Sequence, residues 1–125
     1  MTTIAIPAQI VPHARAGALY LLGLACNEIG EQTDMAEPEL AGPLERFDTL
    51  RGLVETLSVQ GAAQVDEVCR PVLLDALWED AAVTVSLRDT NASDGARGTA
   101  LKHAAAVEDI TGFIAALSAQ TWEGK

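Results

Sequence analysis

The apolar positions of this chain fall into four stretches with helical spacing and one short stretch that alternates. The longest unbroken apolar run, Ala16 to Cys26 (AGALYLLGLAC), lies in the first helical stretch. There, from Pro12 to about Thr33, Ala14, Ala18, Leu21, Leu22, Ala25 and Ile29 recur at helical intervals and form one stripe. Leu19 and Cys26 widen the stripe. Tyr20 and Leu24 fall on the opposite face beside His13, Asn27 and Glu31. This helix is therefore apolar over more of its circumference than a surface helix needs, and it is expected to be the most central one. Pro12 suits an early helical position, where its missing N–H would have no partner anyway.

A second stripe, Leu44, Phe47, Leu50, Val54 and Leu57, predicts a helix from about Pro43 to Val59, with Gly61 as a cap or turn. The third stretch runs from Ala62 to Arg88. Val65, Val68, Cys69, Val72, Ala76 and Val83 share one side, with Leu73 and Leu77 next to them, while Asp66, Glu67, Arg70, Asp75, Glu79 and Asp80 point outward. Pro71 lies inside this pattern and predicts a kink or a break. Ala82 to Leu87 alternates and is rich in β-branched residues, a competing strand signal. The helix is preferred because the upstream pattern runs straight into it. The fourth helix opens at Gly98 or Thr99 and carries His103, Val107, Ile110, Ile114, Leu117 and Thr121 on one stripe. Leu101, Ala104 and Phe113 flank that stripe, and Trp122 stands at its end.

The alternating stretch is Thr2 to Pro7, TTIAIP, with Ile4 and Ile6 on one face. A strand this short must lie on the body of its own chain or pair with another. Residues 1–10 are thus an extended arm, 32–43 a linker and 89–98 a polar, turn-rich loop. The expectation is a single all-α domain over residues 1–125. It is a four-helix bundle, mostly antiparallel, with a short extended N-terminal arm and helix 3 kinked or broken at Pro71. The alternative is an α+β domain with a minimal two-stranded sheet made by Ile4–Ile6 and residues 82–87.

Composition narrows the core and the partners. The chain has 125 residues, 49% of them hydrophobic but only 4% aromatic, so the core must be built from small aliphatics. The formal net charge is −10. That field repels nucleic acid and anionic membranes, whose binding needs Lys and Arg. The apolar run of 11 residues is too short to span a bilayer, which takes roughly 20. Arg15 before the run and Ala25-Cys26 at its end imitate an export signal. Pro7 and Pro12 precede it, however, and Arg15 is the only base before it, so a buried helix is the better reading. Cys26 and Cys69 both fall within apolar patterns and read as reduced thiols in a cytoplasmic protein.

The candidate chemistry is thin. No Glu-x-x-His occurs, so the carboxylate–histidine set of a di-iron bundle is missing. His13 and His103 do not make a zinc spacing. No Gly-x-Ser-x-Gly and no phosphate loop is present. Glu28, Glu31 and Asp34 recur at intervals of three near the end of the first helix, and such carboxylates can hold Mg²⁺ together with substrate phosphates. A helical nucleotide pyrophosphohydrolase would complete that cluster from a second helix, for which Glu79, Asp80, Glu108 and Asp109 are the candidates. The chain lacks the cluster of Lys and Arg that would grip phosphates.

The preferred expectation is a small cytoplasmic interaction or regulatory protein without catalysis, cofactor or metal. It acts as a homodimer and with a protein partner, through Ile4, Ile6, Tyr20 and Leu24. The Mg²⁺-dependent hydrolase is the alternative, and an acidic antagonist of a basic partner the third.

Overall fold

The computed structural model describes residues 3–31 and 37–123. Four helices pack together, joined by a small antiparallel sheet. In order they are β1 (Thr3–Ile6), α1 (Val11–Glu31), α2 (Glu37–Leu57), β2 (Ala63–Asp66), a 3-10 turn (Glu67–Cys69), α3 (Arg70–Ser93) and α4 (Arg97–Glu123). α1 packs against α2 on one side and α3 on the other, and α4 packs against α3. α1 and α3 share the central place.

The α1 stripe behaves as its spacing predicts. Ala14, Ala18, Leu21 and Ala25 are buried, while Tyr20 and Leu24 are about half exposed. α1 and α3 run antiparallel, because His13 meets Asp80 and, a turn further on, Gly17 meets Ala76. At Gly17 the two backbones come so close that a Cβ would overlap the Ala76 carbonyl oxygen and stand 2.5 Å from its carbonyl carbon. Glycine is required there by contact and not by backbone angle.

The linker prediction fails over residues 37–43, since α2 already begins at Glu37. Pro38 opens the helix where a missing N–H costs nothing. Pro43 is then an interior residue of α2 and not its start. On α2 the buried residues are Leu50, Leu53 and Leu57, with Phe47 and Val54 packed at their margin.

Helix 3 is not kinked at Pro71. The break falls earlier. Ala63 and Val65 point inward and Gln64 and Asp66 outward, which is period two, so residues 63–66 form a strand. The Asp66 carboxylate then accepts from the Val68 N–H and caps the 3-10 turn. Pro71 stands in the first turn of α3, where proline is at home. β2 pairs with β1 in the register Thr3↔Asp66, Ile4↔Val65, Ala5↔Gln64, Ile6↔Ala63. The N-terminal strand thus finds its partner in its own chain, but not at residues 82–87, which are helical. Ile4 and Ile6 are buried in the core, so they are not available to a second chain as the interface expectation supposed.

The 89–98 loop shrinks to a tight turn. α3 continues to Ser93, and Gly95 adopts a φ of 82°. The Ala96 N–H donates to the Asn91 carbonyl (2.8 Å) and the Gly95 N–H to that of Ala92 (3.2 Å). This is a Schellman cap with glycine at the left-handed position. It folds α4 straight back along α3.

The core ends before this hairpin does. On α3 the last buried residue is Thr84; on α4 the body resumes at Ile110, and between them only Ala100 is buried. α1 begins at Val11, level with about Ala82, so the last eleven residues of α3 run past it. At 1.5 Å per residue they project about 16 Å beyond the body. This projecting end of the hairpin, residues 85–109, is called the spur below.

Candidate functional site

Two features sit where the helices cross. The first is a pair between α1 and α3. His13 Nδ1 lies 2.7 Å from Asp80 Oδ2, with both side chains largely buried. An ionised carboxylate only accepts, so Nδ1 carries the proton. The hydrogen bond to Asp80 raises the His13 imidazole above its usual value; burial pulls the other way, and the charges of Asp80 and of Asp109 on α4 reinforce the rise. Asp80 therefore does not point into water, as the helical wheel had it. It joins α1 to α3 at the base of the spur.

The second feature is a cleft of about 220 Å³ beside that pair, lined by Ala16, Gly17, Tyr20, Glu79, Asp80 and Val83. The close approach at Gly17 forms its floor. Val83, expected inside, is half exposed at its edge, together with Tyr20. A shallow groove of about 310 Å³ lies between α3 and α4, lined by Ala92, Ala100, Leu101 and Ala104 with Arg88 and Arg97 at its margin.

Chemically the pair is half of an acid–base device: a base and the carboxylate that orients it. The other half is missing. Among the described residues no serine, threonine or cysteine hydrogen-bonds the His13 ring, and no group of three or more His, Cys, Asp or Glu is placed to hold a metal ion. Cys26 and Cys69 are free thiols, and burial, aided by the charge of Asp66, pushes the Cys69 thiol up and makes it less reactive.

Of the acids read near the end of α1, only Glu28 can be placed, and it stands apart from Asp80. Glu28 is exposed near the end of α1, fifteen residues beyond His13 and so about 22 Å along the helix from the level of Asp80. Asp34 lies outside the described residues, as do the side chains of Glu31 and Trp122. Of the four interface candidates, Tyr20 and Leu24 remain on the surface. The wheel missed the His13–Asp80 contact because it assigned both residues to outer faces. The only trace in the sequence is a histidine next to a stripe of small residues, where helices can approach closely.

The chain matches no protein-family model, and no curated protein or solved structure matches it. Among the described residues no helix is long and apolar enough to cross a membrane.

Proposed function

We propose that this chain is an interaction protein without chemistry of its own and that it works as a homodimer. The observation that supports this reading is apolar surface left uncovered on one side of the central helices. Tyr20 and Leu24 on α1 and Val83 and Leu87 on α3 are each about half exposed, around a cleft whose lining is mostly apolar. Single exposed apolar residues are ordinary; a continuous patch marks a contact surface. Aromatic and aliphatic side chains of this kind supply most of the energy at protein interfaces.

The test is light scattering after gel filtration, over concentrations from about 1 to 500 μM. A mass near twice the 13.1 kDa of the chain at the upper end is expected. A monomer mass across the whole range refutes the homodimer.

A further inference from the structure

We propose that the cleft between α1 and α3 binds a primary alkylammonium group, with the alkyl chain against Ala16, Gly17 and Val83 and the nitrogen at Asp80 and Glu79. This goes beyond the homodimer reading and stands or falls separately from it.

The hollow exists because of Gly17. With no side chain there and only a methyl at Ala16, the surface stays open where α1 and α3 cross. A volume of about 220 Å³ holds roughly seven groups the size of a water molecule, so it suits a chain of about four or five carbons with one polar end and is too small for a drug-sized ligand. The walls are mostly apolar, and Tyr20 adds an aromatic ring to them.

The acids of the lining select a cation for the polar end. Both charged residues there, Glu79 and Asp80, are acids, and no Lys or Arg lines the cleft. The Asp80 side chain is only 12% exposed, and its Oδ2 is taken by His13. Its Oδ1 has no hydrogen-bond partner among the described residues, and Glu79 makes no ion pair among them. A carboxylate oxygen so covered is unfavourable without a donor. An ammonium supplies the N–H and a charge that offsets Glu79, and an aromatic face attracts a cation. A neutral chain would leave Oδ1 unpaired, and an anion would be repelled. A metal ion fits less well, since among the described residues no group of three or more His, Cys, Asp or Glu is placed to hold one.

Occupancy is coupled to His13. The ammonium and the His13 ring share the Asp80 carboxylate, and Asp109 on α4 is the other acid whose charge reaches the ring. Two cations at one carboxylate repel, so binding lowers the His13 value and strengthens as pH rises through it.

The probe is n-butylammonium, titrated into isotope-labelled protein and followed by amide NMR shifts. Saturable shifts are expected at residues 16–20 and 79–83, half complete at about 1 mM. n-Butanol and butyrate are expected to bind about fivefold more weakly, or not at all. Glu79→Gln, and Ala16→Leu, which fills the cleft from an exposed position, each weaken binding about fivefold, while Glu28→Gln removes the same charge from the far end of α1 and changes nothing. The His13 titration moves to lower pH when the probe is bound. Nα-acetyl-lysine N-methylamide tells the source of the group: binding equal to n-butylammonium assigns the cleft to a lysine side chain of a partner, and weaker binding assigns it to a free amine. The inference is overturned if no saturable shift reaches the cleft by about 50 mM, if n-butanol binds as tightly as n-butylammonium, if both cleft variants keep wild-type affinity, or if the His13 titration stays in place. Should a variant fail to fold, the n-butanol comparison and the His13 titration on the wild type decide. Light scattering of the same samples separates the two readings. A monomer that binds the probe refutes only the homodimer, and a dimer that does not bind it refutes only the ammonium site.

Discussion

Gly17→Ala is the most direct probe of the crossing on which the candidate site is built. In a free helix the change is favourable by about 1 kcal/mol, because alanine has far less backbone freedom to lose. At Gly17 the new methyl would overlap the Ala76 carbonyl oxygen and stand 2.5 Å from its carbon and 3.0 Å from its Cα. All three are backbone atoms of α3, so no side-chain rotation relieves the clash. α1 and α3 must move apart by more than 1 Å, on the order of the overlap itself, and the leucines around the crossing lose contact. Overpacking of this kind costs about 1–3 kcal/mol or more. With the helix gain subtracted, a net loss of about 2 kcal/mol is expected, which for a domain of this size lowers Tm by roughly 8 °C. Gly23 lies on the same helix and has nothing within 4 Å of a built Cβ. Gly23→Ala should therefore raise Tm by up to about 4 °C. Differential scanning calorimetry of the two variants gives the answer as a difference in sign. If Gly17→Ala is as stabilising as Gly23→Ala, the backbones of α1 and α3 do not meet at Ala76, and the cleft beside them has no floor.

Two further results are expected. The His13 value is raised in the folded state, so the pair with Asp80 contributes its full charged stabilisation below about pH 6.5 and loses it as pH rises through the folded value. His13→Gln should therefore cost about 1 kcal/mol more near pH 5.5 than near pH 9, the low end for a charged hydrogen bond because the ring is partly open to water; equal costs by urea titration at the two pH values would discount the pair. Ile6 is 1% exposed within its own chain. Ile6→Ala is expected to cost about 3 kcal/mol at every protein concentration, whereas a strand that docked only on a second copy would lose stability in a concentration-dependent way.

The sequence is most legible where one physical rule acts alone. The stripes of α1 and α4 locate Ala18, Leu21, Ile110 and Ile114 in the core, because a long amphipathic helix has few other ways to bury them. Local signals are misread where two rules overlap. Val65, Val68, Cys69 and Val72 fit a helical wheel, but Val65 belongs to a strand and Val68 is the most exposed large apolar residue among those described. Ala63-Gln64-Val65-Asp66 is too short for its alternation to stand out against the helix that follows. Pro71 looks disruptive only if the helix is assumed to start before it. The polar composition of residues 89–98 hides the last turn of α3, although Gly95 is the cap residue that marks its end. The candidate site was the least legible part. His13 and Asp80 are 67 residues apart, and only the approach permitted by Gly17 brings them together.

The pairing of Thr3 with Asp66 also orders events in time. The contacts of α3 with α4 join neighbours in the chain across a three-residue turn, so that hairpin closes at little entropic cost. β1 must instead wait for a partner some sixty residues away, a closure costing roughly 3.6 kcal/mol before any contact offsets it. During synthesis Ile4 and Ile6 emerge before α1, α2 and β2, and β1 can pair only after all three have followed. The beginning of this chain is among the last parts to lock, and until then two isoleucines of the finished core stay in water.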